Sequence, residues 1–394
     1  MKILFIHNRY QAGGGEDTTL QMEMNLLNEK GHKTRLLEFN NDNIDSFYAK
    51  IIAAISSFYN INSAKKLKAT IEDFQPDIIH VHNLFFKASS SILYQAYKMN
   101  IPIVATVQNF RLICANAFLL RNNKVCELCI NKAFPLEGIK NKCYRNSTIE
   151  SSLVTAISAS YKFLRTWQTT VNSIIMPSNF MKNKILFSSF RFPEKRIIVK
   201  HNFVNDIFNV TNSKEQRENF FLFAGRLSKE KGIEVLIKPF LENLKLRLTI
   251  AGDGPEKKNL LSLIHNKPNI KYIGLQSNDS IRSLMKKSKA LIFPSLWYEG
   301  LPLTIIEAFS TGTPVIASNL GAMAEMIEDG YNGYHFIPGN MESLIKTIEK
   351  FESITDNNQH LYDNARKTYL EKYTPDKHYN VIMNLYEEVI STSK

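Results

Sequence analysis

Apolar and β-branched residues gather in short runs separated by longer amphipathic stretches along the whole chain. In the first half the runs fall at 2–7 (KILFIH), 34–39, 77–82 (DIIHVH), 101–107 (IPIVATV), 173–177 and 196–200. Helical spacing of apolar positions covers 16–30, 46–73, 89–99 and 149–170. A second series begins at 219–225 (NFFLFAG) and continues at 246–251 (LRLTIA), 270–274, 289–294 (KALIFP) and 314–318. Its helical patterns lie at 231–243, 255–265, 277–287 and 302–311, and the chain reads as helical after about 340. Continuous apolar runs alternating with helices predict parallel sheets covered on both faces. The expectation is an α/β chain of two doubly wound, Rossmann-like domains, 1–202 and 219–374. The polar stretch 203–218 (FVNDIFNVTNSKEQRE) joins them, and a last helix at 375–394 is expected to cross back to the first domain. Ligands of such folds bind beyond the C-terminal ends of the strands, here in a cleft between the two sheets, so chemistry should sit in the turns there.

Composition narrows the class. The 394 residues are 44% hydrophobic and 22% charged, as in a folded globular chain. No run approaches the roughly eighteen apolar residues of a membrane span. The first residues, MKILFIHNRYQ, read as a buried strand rather than a signal peptide, which points to the cytoplasm. The net charge of +12 is unevenly placed: residues 1–200 hold 26 Lys and Arg against 14 Asp and Glu, and residues 201–394 hold 23 of each. No Arg/Lys-rich helix or nucleic-acid motif accompanies the basic half, so anionic lipid or a phosphorylated acceptor fits better than nucleic acid. The patterns at 46–73 and 149–170 mix aromatic residues and Trp167 with Lys65, Lys66, Lys68, Lys162 and Arg165. That mixture suits a membrane interface, and it equally suits packing helices with charged outer faces. Cys114, Cys126, Cys129 and Cys143 all fall in an insertion at 110–146. A CxxC pair flanked by two single cysteines could hold a structural zinc, or could be four packed thiols; reducing conditions make disulfides the poorer reading.

Three turns carry candidate chemistry. HNRYQAGGGED at 7–17 places Gly13, Gly14 and Gly15 between the first strand and helix, where backbone N–H groups can approach a phosphate or sugar. It is not GxGxxG, although Glu38 stands near the end of the second strand where a nicotinamide enzyme would want an acid. AGRLSKEKG at 224–232 sets Arg226 and Lys231 five residues apart at a strand end and helix start, which suits a diphosphate and equally a solvated basic loop. PSLWYEGLPLTIIEAFSTGTP at 294–314 holds Glu299 and Glu307 around a helix expected to start at Pro302. The N–H groups of Leu303 and Thr304 would stay free there to hold a phosphate. One glutamate could address a sugar and the other the ribose hydroxyls.

These turns, with IAGDGPE (250–256), YIGLQ (272–276) and GTPVIASNLGAMAEMI (312–327), resemble glycosyltransferase family 4 across essentially the whole chain. That family comprises retaining GT-B enzymes. The resemblance implies that Gly14 and Gly15 flank the donor diphosphate and acceptor. It implies that Arg226 and Lys231 bind the diphosphate, Glu299 the transferred sugar and Glu307 the ribose. The stretch 110–145, with CYRNS at 143–147, looks like a subgroup associated with bacterial surface-polysaccharide assembly. One departure stands out: family members often carry a His after the strand at 103–107, where this chain has Gln108-Asn109. Gln cannot take a proton. His82 is the other candidate near the sugar, and retention by this family is usually attributed to the leaving diphosphate accepting the proton. No DxD follows a strand, so no catalytic metal or other cofactor is implied. The expected partners are a nucleotide-diphosphate sugar, a polyprenyl-diphosphate-linked glycan and an anionic membrane surface. The alternatives are a catalytically inactive binding module of the same fold and a nucleotide-sugar epimerase.

Overall fold

The computed structural model describes residues 1–394 apart from 10–13, 41–57, 86, 207–216, 355–357 and 394. Two compact units emerge: Met1–Leu119, Cys126–His201 and His378–Lys394 form the first; Leu120–Val125 and Asn202–Lys377 form the second. Among the described residues no helix is long and apolar enough to cross a membrane.

The first unit holds a six-stranded parallel sheet. Its strands are β1 (Lys2–Arg9), β2 (Lys33–Asn40), β3 (Ile78–Val81), β4 (Ile103–Thr106), β7 (Ser173–Met176) and β8 (Ile197–Val199), in the order β2-β1-β3-β4-β7-β8. Between β4 and β7 in sequence, β5 (Leu120–Arg121) and β6 (Lys124–Val125) make a short antiparallel hairpin that belongs to the second unit. Every residue of β3, β4 and β7 is buried, because helices cover both faces of the sheet. The helix Pro375–Ser393 packs Ile382, Met383, Leu385, Tyr386 and Val389 into one core cluster with Ile3, Phe5, Ile78 and Val104.

Two expected helices differ in detail. The pattern at 149–170 forms two helices, Thr148–Phe163 and Thr166–Thr170, broken where Arg165 adopts a left-handed φ of 50°. The break lets Trp167 turn inward, edge-on to Phe190 with ring centroids 6.0 Å apart. Of the pattern at 46–73, the described part is the helix Ile61–Phe74, capped by Asn60 Oδ1 accepting from Ser63 N; the remainder falls largely outside the described residues.

The second unit repeats the plan with β9 (Phe221–Ala224), β10 (Leu248–Ala251), β11 (Ile270–Gly274), β12 (Ala290–Phe293), β13 (Val315–Ser318) and β14 (Gly333–Phe336). Their order, β11-β10-β9-β12-β13-β14, reverses direction between β9 and β12. β14 has no apolar run to announce it, and only glycine fits its first position: a Cβ on Gly333 would stand 2.0 Å from Val315 O. Most of the expected linker at 203–218 lies outside the described residues, but Arg217 near its end is firmly seated. Its guanidinium donates to Met285 O (2.9 Å), Thr313 Oγ1 (2.8 Å) and Gly312 O (2.9 Å).

Candidate functional site

Order reversals in doubly wound sheets open a crevice at the strand ends. In the second unit the reversal falls between β9 and β12, whose following turns carry AGRLSKEKG and PSLWYEG. A cavity of about 330 Å³ opens there, lined among others by Gly225, Arg226, Gly252, Gln276, Thr304 and Glu307. Its floor is main chain. A Cβ on Gly252 (φ +140°) would fall 1.9 Å from Gly225 O, and one on Gly254 (φ +159°) 2.4 Å from Leu227 O. Leu227 N donates to Asp253 O at 2.9 Å, so the turns after β9 and β10 interlock only as glycine backbones.

The helix over the cavity is Leu303–Ser310, one residue later than expected. Pro302 has ψ 119° and is its cap, and the first helical bond runs from Ile305 N to Pro302 O at 3.1 Å. Leu303 and Thr304 therefore precede the first N–H with an intrahelical acceptor, as the sequence reading required; Thr304 lines the cavity. Glu307 stands in the cavity wall with Arg282 Nη2 3.7 Å from its Oε1. Burial raises its carboxyl above the ordinary range, against the opposing pull of Arg282. Arg282 escaped sequence reading because it sits mid-helix, within Asn278–Lys287, rather than in a turn. Arg226 is exposed on the cavity wall.

Lys231 and Glu299 meet each other. Lys231 Nζ donates to Glu299 Oε1 at 2.6 Å, and the same oxygen accepts from Ser295 Oγ (2.7 Å) and Trp297 Nε1 (2.5 Å). The rings of Phe293 and Trp297 lie 5.4 Å from the ammonium. Gly232 (φ +71°) makes the approach feasible, because a Cβ there would stand 2.1 Å from Pro294 O. A carboxylate fixed by three donors presents a set orientation to a ligand.

In the first unit, β1 and β3 flank the corresponding reversal. Gly14 and Gly15 open the helix Gly15–Glu29, and nothing lies within 4 Å of where a Cβ would stand on either, so the space above them is open. Gly13 lies outside the described residues. Asp17 closes the turn, its Oδ2 accepting from Gly14 N (3.0 Å) and its Oδ1 paired with His7 Nε2 (2.7 Å). His82 follows β3 with its ring buried, Nδ1 without a hydrogen-bond partner and Nε2 3.5 Å from Glu23 Oε1. Burial, with His80 beside it, lowers its pKa to about 3, so the ring is neutral at physiological pH. Gln108 follows β4 with its Nε2 likewise buried and unpartnered. Its neighbour Asn109 donates to Glu16 Oε1 at 2.7 Å, and desolvation lifts the Glu16 carboxyl to about 7.

Beneath His82 lies a cluster that sequence spacing could not reveal. Glu23 Oε2 accepts from Lys200 Nζ and pairs with His378 Nε2 (2.8 Å), while Glu23 Oε1 is 3.0 Å from His80 Nδ1. Tyr386 OH lies 2.7 Å from His80 Nδ1. Burial opposes ionisation of Glu23, but Lys200 and His80 outweigh it and hold the carboxyl well below its ordinary range. Among the described residues, Glu23, His80 and His82 form the group of potential metal donors within 4.8 Å of one another. Lys200 already supplies the cation that this carboxylate needs. The cysteines are not in such a group: all four are unbridged, Cys114 and Cys129 buried, Cys126 and Cys143 half-buried. Burial pushes the Cys129 thiol up to about 11.

A polar cavity at the reversal of a doubly wound sheet, with a helix start and an acid in its wall, is where α/β proteins of this plan hold their ligands. Residues 205–368 match the family described as glycosyl transferases group 1. An uncharacterized glycosyltransferase of Methanocaldococcus jannaschii is 29% identical over 57% of this chain and 62% of its own length. The lipopolysaccharide 1,2-N-acetylglucosaminetransferase of Salmonella typhimurium is 28% identical over 51% of this chain and 58% of its own. The chain thus spans about three fifths of the length of these relatives. Anabaena HepE, solved in complex with UDP, superposes with a TM-score of 0.69 at 16% identity, over 98% of this chain and 100% of its own. The fold is therefore the GT-B fold of glycosyltransferases.

Proposed function

We propose that the chain moves a sugar from a nucleotide-diphosphate sugar to a lipid-linked glycan, with retention of anomeric configuration, in capsule, O-antigen or exopolysaccharide synthesis. The observation that carries this reading is the cavity beside β9, where Arg226, Thr304 and Glu307 converge on a space of nucleotide-fragment size. Arg226, Lys231 and the N–H groups of Leu303 and Thr304 neutralise the diphosphate, and Glu307, steadied by Arg282, binds the ribose. Glu299, oriented by Lys231, Ser295 and Trp297, holds the transferred sugar. Gly14 and Gly15 admit donor diphosphate and acceptor, and His82 and Gln108 hydrogen-bond the sugar hydroxyls as neutral groups. In the transfer, the bond from the anomeric carbon to the diphosphate oxygen breaks and one to the acceptor oxygen forms. The acceptor proton passes to the departing diphosphate, so neither Gln108 nor a neutral His82 need act as a base. No catalytic metal enters this scheme. The lipid-linked acceptor would be met at an anionic membrane surface on the cytoplasmic side, in keeping with the basic first half of the chain.

Incubation with a panel of nucleotide-sugars, with and without a polyprenyl-diphosphate-sugar acceptor, tests the reading by nucleoside diphosphate release. Release that requires acceptor, and falls about 100- to 1,000-fold in kcat/KM for Arg226→Ala, is expected. Donor binding without release on any acceptor would instead favour an inactive binding module, and acceptor-free conversion of the sugar an epimerase.

A further inference from the structure

Among the large apolar side chains that the first unit exposes, four lie in three segments that meet. Phe163 is 88% exposed, Phe187 77%, Leu164 58% and Phe134 48%. Three segments carry them, and one hydrogen-bonded hub ties these together. Lys162 Nζ donates to Ser189 Oγ at 2.9 Å and to Lys132 O at 3.1 Å, while Ser189 N donates to Ile130 O at 2.9 Å. Phe163 and Leu164 directly follow Lys162, Phe187 stands two residues before Ser189, and Phe134 two residues after Lys132. The same segments bury Ile130, Trp167, Ile185 and Phe190, so the exposed rings are not surplus from an unfilled core. Clustered apolar exposure of this kind marks an interaction surface.

Charge identifies the partner. Lys132, Arg165 and Arg191 are exposed in the same segments, and residues 126–196 hold 11 Lys and Arg against 4 Asp and Glu. Most of the chain's positive excess is concentrated here. Rings rimmed by cations match a bilayer interface, where apolar groups enter the boundary of headgroups and acyl chains while cations stay among lipid phosphates. A second copy of this chain would bring the same positive rim against itself. We propose that the face formed by Phe134, Phe163, Leu164 and Phe187 docks on a membrane surface containing anionic lipid. The inference rests on the membrane-borne acceptor proposed above and assigns the surface that meets it.

Co-sedimentation of the full chain with phosphatidylcholine vesicles, with and without phosphatidylglycerol, tests both layers. The wild type should bind the phosphatidylglycerol vesicles and lose binding steeply as salt rises. Phe163→Ser/Phe187→Ser should lower vesicle affinity about tenfold or more at unchanged melting temperature. Leu244→Ser, at a side chain 59% exposed in the second unit, should not. Arg165→Glu/Arg191→Glu should weaken binding and flatten its salt dependence. Wild-type binding that the double Phe variant leaves intact would overturn this face while sparing the membrane reading. No wild-type binding at low salt would overturn both, leaving sugar transfer to a soluble acceptor. A stable wild-type dimer that the double Phe variant dissociates would make a second copy the occupant and also overturn the proposal.

Discussion

Replacing Lys200 by Met removes the one ammonium bonded to Glu23 while keeping most of the side-chain volume. Glu23 is fully buried and Lys200 is 4% exposed, so water cannot take over the lost contact. Breaking a buried pair from one side costs about 3–5 kcal/mol, because the remaining charge is left without compensation. For a domain of this size, each kcal/mol moves the melting temperature by roughly 2–4 °C, so a drop of about 6–20 °C is expected. The pH dependence should change with it. In the wild type the Glu23 carboxyl is held well below its ordinary value of 4.5, so its stabilisation is present above that value and is lost as acid protonates it. In Lys200→Met, burial dominates and raises the Glu23 pKa, so the deficit against the wild type should shrink as pH falls from neutrality. Removing both charges, as Glu23→Gln/Lys200→Met, should recover most of the loss. Calorimetric melting of the four proteins from pH 5 to 8 reads all of this. A Lys200→Met protein within about 1 kcal/mol of the wild type, or a double variant no better than the single, would refute the reasoning.

Three further outcomes follow from the site. Glu299→Gln should lose turnover at nearly unchanged nucleotide affinity, whereas Glu307→Ala should weaken nucleotide binding about tenfold or more by calorimetry; equal effects on both quantities would contradict the division of roles. Gly252→Ala, whose Cβ would fall 1.9 Å from Gly225 O, should weaken nucleotide binding and lower the melting temperature, while Gly14→Ala should leave the latter unchanged. The zinc reading of Cys114, Cys126, Cys129 and Cys143 requires close to one metal per chain by elemental analysis, with both metal and stability lost in Cys126→Ser/Cys129→Ser.

The fold was legible because fully buried parallel strands leave continuous apolar runs, and IIHV, FLFA and ALIF are such runs. β14 was not, since GYHF is short, mixed and anchored by a glycine contact rather than by hydrophobicity. The break before Trp167 was equally hidden, because Leu164 and Arg165 are both good helix formers and only tertiary packing turns the chain there. The turn motifs named Arg226, Thr304 and Glu307, which line one cavity, since turns at strand ends converge there on this fold. Arg282 and the bond between Lys231 and Glu299 required coordinates: neither helix interior nor pairing partner shows in a linear motif. The cluster of Glu23, His80, Lys200 and His378 spans 355 residues of sequence, beyond any local signal.

The helix Pro375–Ser393 has a consequence for biosynthesis. Its residues Ile382, Leu385 and Tyr386 complete a core begun by Ile3 and Phe5, and His378 caps the ion pair formed by Glu23 and Lys200. Ribosomes deliver this helix only after every strand of the second sheet. Ile3, Phe5 and Glu23 must therefore wait, with an apolar face and a half-solvated charge pair uncovered, until the second unit has emerged. Completion of the first unit thus reports that translation has passed the second. Chains cut short before residue 378 would carry a sticky, unfinished core, the kind of surface that chaperones and proteases recognise.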